Sequence, residues 1–178
     1  MQTAGLPPVT MSGLPPRRKN KMLLSELFES NFIKIGLEAE DKDEAFEELA
    51  DAFCEASHLK IREEILNAIR NRERKMSTGI QKGIAVPHGR VASIDKVYGI
   101  LGISRQGIDY DALDDEPVYL LFLILAPQTE SELHLRILKR LAEMLQNPQF
   151  FTDLAAQNDP AAANAIIRKY ENILIAID

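Results

Sequence analysis

Of the three histidines in the chain, His88 lies in the most suggestive setting, Gly83-Ile84-Ala85-Val86-Pro87-His88-Gly89. The apolar piece Ile84-Ala85-Val86 reads as a short strand. Pro87 disfavours helix at Val86 and keeps the chain extended up to the histidine. Gly89 carries no side chain, so another surface can come close. The imidazole is expected at the carboxyl end of a strand, where α/β sheets usually bind ligands. A neutral imidazole nitrogen is a nucleophile at pH 7, because its free pKa is about 6.5. Taken alone, a Pro-His-Gly turn is more often structural than catalytic.

Other groups admit two readings each. His134 shares a helical face with Leu138, Leu141 and Leu145, which by itself describes a core histidine. Arg72 near a helix end is a cation favoured by the helix dipole. Ser77 and Thr78 are good turn formers that also carry hydroxyls. His58, beside Ser57 after a helix, is expected at the surface. Cys54 falls on an apolar stripe and is expected in the core. Asp109, Asp111, Asp114 and Asp115 read as a solvated connection, because they lack the spacing of a calcium loop. A metal site needs three or four ligands, and only His88 and His134 are expected to converge. No phosphate-binding loop, dinucleotide fingerprint or Ser-His-Asp pattern occurs.

The elements that must position these groups follow from periodicity. Leu23 to Phe28 reads as a short helix and Phe32 to Leu37 as a half-buried strand. Asp43 to Ala56 is a helix with Ala45, Phe46, Leu49, Ala50, Phe53 and Cys54 on one stripe and Glu47, Glu48 and Asp51 opposite. A second helix is expected from about Ile61 to Arg72. Val97 to Ser104 reads as a strand. Val118 to Leu125 is a continuous apolar run, as in a strand covered on both faces. A helix over about Ser131 to Gln146 follows. Asn147-Pro148 and Asp159-Pro160 each read as an N-cap with Pro at the first helical position. Strands interleaved with helices predict one α/β layered domain, residues 22–178, with a central sheet.

Bulk properties narrow the class. At 178 residues, one domain can bury roughly 70% of its unfolded surface and needs no metal or disulfide to hold it. The net charge of −6 argues against a chain built to coat nucleic acid. A single cysteine excludes an intrachain disulfide and fits a reducing compartment. The longest apolar run, Val118 to Ala126, is too short to span a membrane, and the first residues lack a signal-peptide core. A cytoplasmic location is expected. Residues 1–21, with Pro7-Pro8, Pro15-Pro16 and the basic cluster Arg17, Arg18, Lys19 and Lys21, read as a disordered tail.

The stretch Arg72-Glu73-Arg74-Lys75-Met76-Ser77-Thr78-Gly79-Ile80, followed by Gly83 to Gly89, closely resembles a known signature. It is that of the fructose, mannitol and nitrogen-regulatory enzyme IIA proteins of the bacterial phosphotransferase system. The resemblance covers roughly residues 22 to 172. It departs at Gln81, where the family usually has Gly or Ala, and at Met76, where a small residue is common.

The resemblance implies a mixed central sheet with helices on both sides. It implies that His88 takes a phosphoryl group from the histidine-containing phosphocarrier protein, with no cofactor and no metal. His134 would then orient His88 or hydrogen-bond the phosphoryl oxygens, and Arg72 would stabilise their charge. Ser77, Thr78 and Gly89 would contribute to phosphoryl binding. The acceptor would be regulatory target proteins or a transporter IIB domain. The opening Leu24-Ser25-Glu26-Leu27, and the expectation that no IIB or membrane domain is fused, lean toward the nitrogen-regulatory branch. The alternative is a sugar-specific carrier.

Overall fold

The computed structural model describes residues 22–177, so the expected tail lies outside the described residues. The fold is set by β6 (Val118–Ala126), whose uninterrupted apolar sequence is buried on both faces. Side chains alternate along it. Leu120, Phe122, Ile124 and Ala126 enter one hydrophobic cluster, and Leu121, Leu123 and Leu125 enter the other. A strand that must be covered twice recruits helices to both sides.

The sheet is mixed, with strand order β1-β5-β6-β3-β2. Here β1 is Ile33–Leu37, β2 Gly79–Gln81, β3 Ile84–Ala85 and β5 Tyr98–Ile108. β5 runs antiparallel to β6, whereas β1 is parallel to β5. β3 and a further short strand, β4 (His88–Arg90), both lie parallel to β6, one after the other. β2 and β3 form a hairpin whose turn residues, Lys82 and Gly83, both have positive φ (55° and 77°). That backbone matches the tight turn a two-residue hairpin prefers, and glycine adopts it without strain. Gln81, a departure from the family pattern, keeps its place in β2.

Helices α2 (Lys42–Ser57) and α3 (Arg62–Glu73) cover one face. Asp41 caps α2 by accepting from Glu44 N at 2.9 Å. The stripe Ala45, Phe46, Leu49, Ala50 and Phe53 is buried as expected, but Cys54 is only half-buried at its margin. His58 is exposed and ends α2 in the left-handed conformation, with φ 59°.

The other face carries α1 (Leu24–Leu27), α4 (Ser131–Leu145), α5 (Pro148–Ala155) and α6 (Pro160–Ile177). Asn147 and Asp159 cap α5 and α6, accepting from Gln149 N and Ala162 N. α6 also holds α1 at both ends. Buried Glu171 accepts from the amides of Leu24 and Ser25, and Asn164 Nδ2 donates to the carbonyls of Ser25 and Phe28.

The expected α/β architecture is therefore present, with three differences in its strands. β5 continues four residues past Ser104, to Ile108. β2 and β4 were not anticipated, since strands of three residues carry no periodicity and are held by their neighbours. In consequence His88 opens a strand instead of occupying a loop.

Candidate functional site

The break between β3 and β4 creates the site. Pro87 lacks an N–H, yet its carbonyl accepts from Ile124 N at 3.0 Å, so the chain stays on β6 while it kinks. Val86 N donates to Thr78 O at 2.9 Å, leaving the Val86 carbonyl free to turn toward the next side chain but one. That carbonyl lies 2.8 Å from His88 Nδ1. A carbonyl only accepts, so Nδ1 carries the hydrogen. On the opposite edge of the ring, Arg72 Nε donates to His88 Nε2 at 3.0 Å. A guanidinium only donates, so Nε2 presents its lone pair. Both contacts select the same neutral tautomer.

Burial holds the half-buried His88 imidazole below the usual histidine range. The bond to Val86 O works against this, the nearby Arg72 charge adds to it, and Glu73 opposes it. Neutral, with Nε2 unprotonated, the ring is a nucleophile at physiological pH.

Arg72 comes from the last turn of α3. Its Nη1 donates to Met76 O at 2.9 Å, so one guanidinium links the imidazole to the loop after the helix. His134 approaches from α4, with ring centroids 5.5 Å apart and planes inclined by 55°. It is 5% exposed, and its Nδ1 has no hydrogen-bond partner among the described residues. Burial, then the neighbouring His88 and Arg90, lowers its pKa to about 4. Its expected convergence on His88 is thus seen, although it also packs in the helical face that suggested a core role. Leu138, Leu141 and Leu145 of that face, with Met76, Ile80 and Leu113, line an apolar pocket of about 230 Å³ that opens onto His88 and Arg72.

The three other residues expected at the phosphoryl group make contacts with the loop and α3. Ser77 Oγ donates to Asp111 O at 2.8 Å and accepts from Gly79 N at 3.2 Å. Thr78 Oγ1 lies 2.6 Å from Glu73 Oε2 and 2.8 Å from Tyr110 Oη. Both hydroxyls hold the loop in this geometry. Gly89 faces α3, where an added Cβ would stand 2.9 Å from Ala68 Cβ and 3.1 Å from Ala68 carbonyl carbon. Its missing side chain admits the helix that brings Arg72.

Sequence reasoning missed Glu73, Tyr110, Lys42 and Arg90. Glu73 had a signal: an acid in the last turn of a helix stands against the dipole unless something else holds it. It is held by Thr78 and by Lys42 Nζ at 3.3 Å. Arg90 Nη1 reaches the carbonyls of Pro127 and Gln128, just ahead of α4. The four acidic residues Asp109, Asp111, Asp114 and Asp115 are exposed, and Asp114 accepts from Lys82 N at 2.8 Å.

Residues 26–170 match the family described as phosphoenolpyruvate-dependent sugar phosphotransferase system, EIIA 2. The chain belongs to that family. Among EIIA 2 relatives, it is 33% identical over 150 residues to the fructose-specific EIIABC component of Bacillus subtilis (strain 168). The match takes in 84% of this chain but only 24% of that protein, so the chain spans about a quarter of that relative's length. It is 29% identical over 146 residues to the nitrogen regulatory protein of Bradyrhizobium diazoefficiens, covering 82% of this chain and 95% of that one. The crystal structure of nitrogen regulatory protein IIA-Ntr from Neisseria meningitidis superposes with a TM-score of 0.75 at 28% identity. That superposition covers 81% of this chain and 98% of the other. No helix among the described residues is long and apolar enough to cross a membrane.

Proposed function

We propose that the protein is a phosphocarrier whose acceptor atom is Nε2 of His88, loaded by the histidine-containing phosphocarrier protein in the cytoplasm. The observation that carries this reading is the pair of contacts on the imidazole, Nδ1 to Val86 O and Nε2 to Arg72 Nε. Together they leave one nitrogen nucleophilic and aim it at the apolar pocket.

In the transfer, Nε2 attacks the phosphorus of a donor phosphohistidine. The new N–P bond forms as the donor's N–P bond breaks, and the bonding pair stays on the donor nitrogen. The donor ring, protonated at its other nitrogen, departs neutral. His88 keeps its Nδ1 hydrogen against Val86 O, so the positive charge that develops on its ring faces a carbonyl oxygen. Arg72 must leave Nε2 for attack to occur, and its guanidinium then meets the phosphoryl oxygens as a charge-assisted donor. Neutral His134 supplies a ring N–H to the same oxygens. Exchanging one N–P bond for another of similar energy needs no nucleotide or metal.

The nitrogen-regulatory branch is the preferred reading. It rests on the Leu24-Ser25-Glu26-Leu27 opening and on the two relatives of that kind described above, matched over 95% and 98% of their length. On a hydroxyl residue a phosphoryl group adds roughly −1.5 to −2 charges near pH 7, and on His88 the change has the same sign, reduced by the positive charge on a ring that keeps its Nδ1 hydrogen. It would land beside Met76 and Leu113, which are 59% and 60% exposed, and so change which partners this patch accepts. Discrimination of about 5- to 150-fold between the two forms is expected of a regulatory target. The second reading, a sugar-specific carrier passing phosphate to a transporter IIB domain, is favoured by the fructose-specific relative at 33% identity.

Incubation with the phosphorylated histidine carrier, followed by mass spectrometry of the intact protein and its peptides, tests the acceptor. One phosphoryl group on His88 is expected, and stable modification elsewhere refutes the reading. Parallel pull-downs with both forms separate the branches. Equal affinity of every captured partner for the two forms favours the plain carrier.

A further inference from the structure

Behind His88 lies a closed circuit of contacts that begins and ends on neighbouring residues of α3. The Glu73 carboxylate, 8% exposed, accepts from Thr78 N at 3.1 Å through both oxygens and from Thr78 Oγ1 at 2.6 Å. Tyr110 Oη, fully buried, is 2.8 Å from the same hydroxyl. Since Thr78 Oγ1 gives its hydrogen to the carboxylate, Tyr110 is the donor to Oγ1. Thr78 O accepts from Val86 N at 2.9 Å. Val86 O takes the hydrogen of His88 Nδ1, and His88 Nε2 accepts from Arg72. Arg72 is bonded covalently to Glu73, which closes the ring.

We infer that Glu73 is a positioning residue for phosphoryl transfer: by anchoring Thr78 it places the Val86 carbonyl that selects the Nδ1–H tautomer of His88. The inference rests on the proposed role of His88. Its physical basis is that a histidine's reactive nitrogen is chosen by the hydrogen bond made at the other one. Glu73 makes no contact with the imidazole and acts only through the loop. The N–H and C=O of Thr78, like those of Val86, belong to different peptide units separated by a Cα, so the effect passes through geometry and not through bond polarisation. Lys42 Nζ, 3.3 Å from Glu73 Oε1, pairs with the same carboxylate. Without the anchor, Thr78 would lose its hold on α3, although residues 74–76 stay tied to it through Arg72 and the backbone. The Val86 carbonyl could then rotate, and Nε2 could take the hydrogen and lose its lone pair.

The test reads the tautomer first, on unphosphorylated protein, by ¹⁵N shifts of the His88 ring at a pH above its titration. Wild type is expected to show only the Nδ1–H form. Glu73→Met, which keeps the side-chain volume and removes both acceptors, is expected to show a mixture of tautomers. Its maximal single-turnover rate of transfer from the phosphorylated histidine carrier should fall about 10- to 100-fold, with half-saturating donor concentration unchanged. Glu73→Gln, retaining one acceptor, should restore part of both. A folded Glu73→Met protein that keeps the single tautomer overturns the inference, whatever its rate. If that variant does not fold, Glu73→Ala decides, because it likewise leaves Thr78 N and Oγ1 without an acceptor on α3. A second tautomer is expected, and its absence overturns the inference. Failure of wild type to be phosphorylated on His88 would refute the proposed function alone, since the tautomer is measured without any donor.

Discussion

The two sides of His88 are built differently. On the α3 side, polar groups are tied in pairs: Arg72 to the imidazole and Met76 O, Glu73 to Thr78 and Lys42, Ser77 to Asp111 O. On the α4 side, buried His134 Nδ1 has no partner among the described residues, and Leu135, one residue on, is 64% exposed. A satisfied network holds one geometry, whereas an incompletely satisfied one has capacity left for a new charge. The contrast teaches a division of labour. On the proposed function, the α3 side would fix the nucleophile and the α4 side would receive what it binds.

Each prediction strains one side of that contrast. His88→Ala should abolish the acid-labile phosphoryl adduct completely while leaving the thermal unfolding midpoint close to wild type, as the ring's two hydrogen bonds lie at a half-buried rim. Next in size is Arg72→Ala, which removes the donor expected on the phosphoryl oxygens. Single-turnover transfer should slow by about 100- to 1000-fold; a rate within a few-fold of wild type would reduce Arg72 to a loop tie.

The α4 side should show itself in acid. Because the His134 pKa falls from 6.5 to about 4 on folding, the unfolded chain takes up a proton that the folded protein refuses. The stability present above pH 6.5 therefore declines as pH falls, by about 3 kcal/mol on reaching pH 4. Denaturant midpoints at pH 7.5 and 4 should reveal this loss in wild type and a smaller one in His134→Gln. In the same variant, transfer should slow by roughly 10- to 100-fold with phosphorylation still detectable, the loss of a hydrogen bond to a charged group. Unchanged transfer would return His134 to the core. The smallest effect is expected at Gly89→Ala, whose Cβ would meet Ala68 at 2.9 Å. Calorimetry should find about 1–3 kcal/mol of destabilisation from the overpacked contact with α3.

What was legible in the sequence follows the range of the interactions involved. β6 and α2 carry their burial pattern in consecutive residues, and both were readable. Asn147-Pro148 and Asp159-Pro160 announced the starts of α5 and α6 through local capping chemistry. The strand β4 was not readable, because three residues have no period and the pairing of His88 with Ile124 is long-range. The same holds at the site. His88 and its tight Pro-Gly setting stood out, and the family signature brought in Arg72 and His134. The contacts of Ser77 and Thr78 were not readable, because hydroxyls look alike in sequence and two of their partners, Asp111 and Tyr110, lie some thirty positions away. Gly89 was read as permitting close approach, and the surface that approaches it is α3.

The central claim is atomic: the phosphoryl group sits on Nε2 of His88. It is tested most directly by ³¹P–¹⁵N coupling in protein labelled at histidine and phosphorylated by the histidine carrier. The account predicts a one-bond coupling to His88 Nε2, with Nδ1 still bearing its hydrogen against Val86 O. A coupling to His88 Nδ1, or to a nitrogen of His134 or His58, would contradict it.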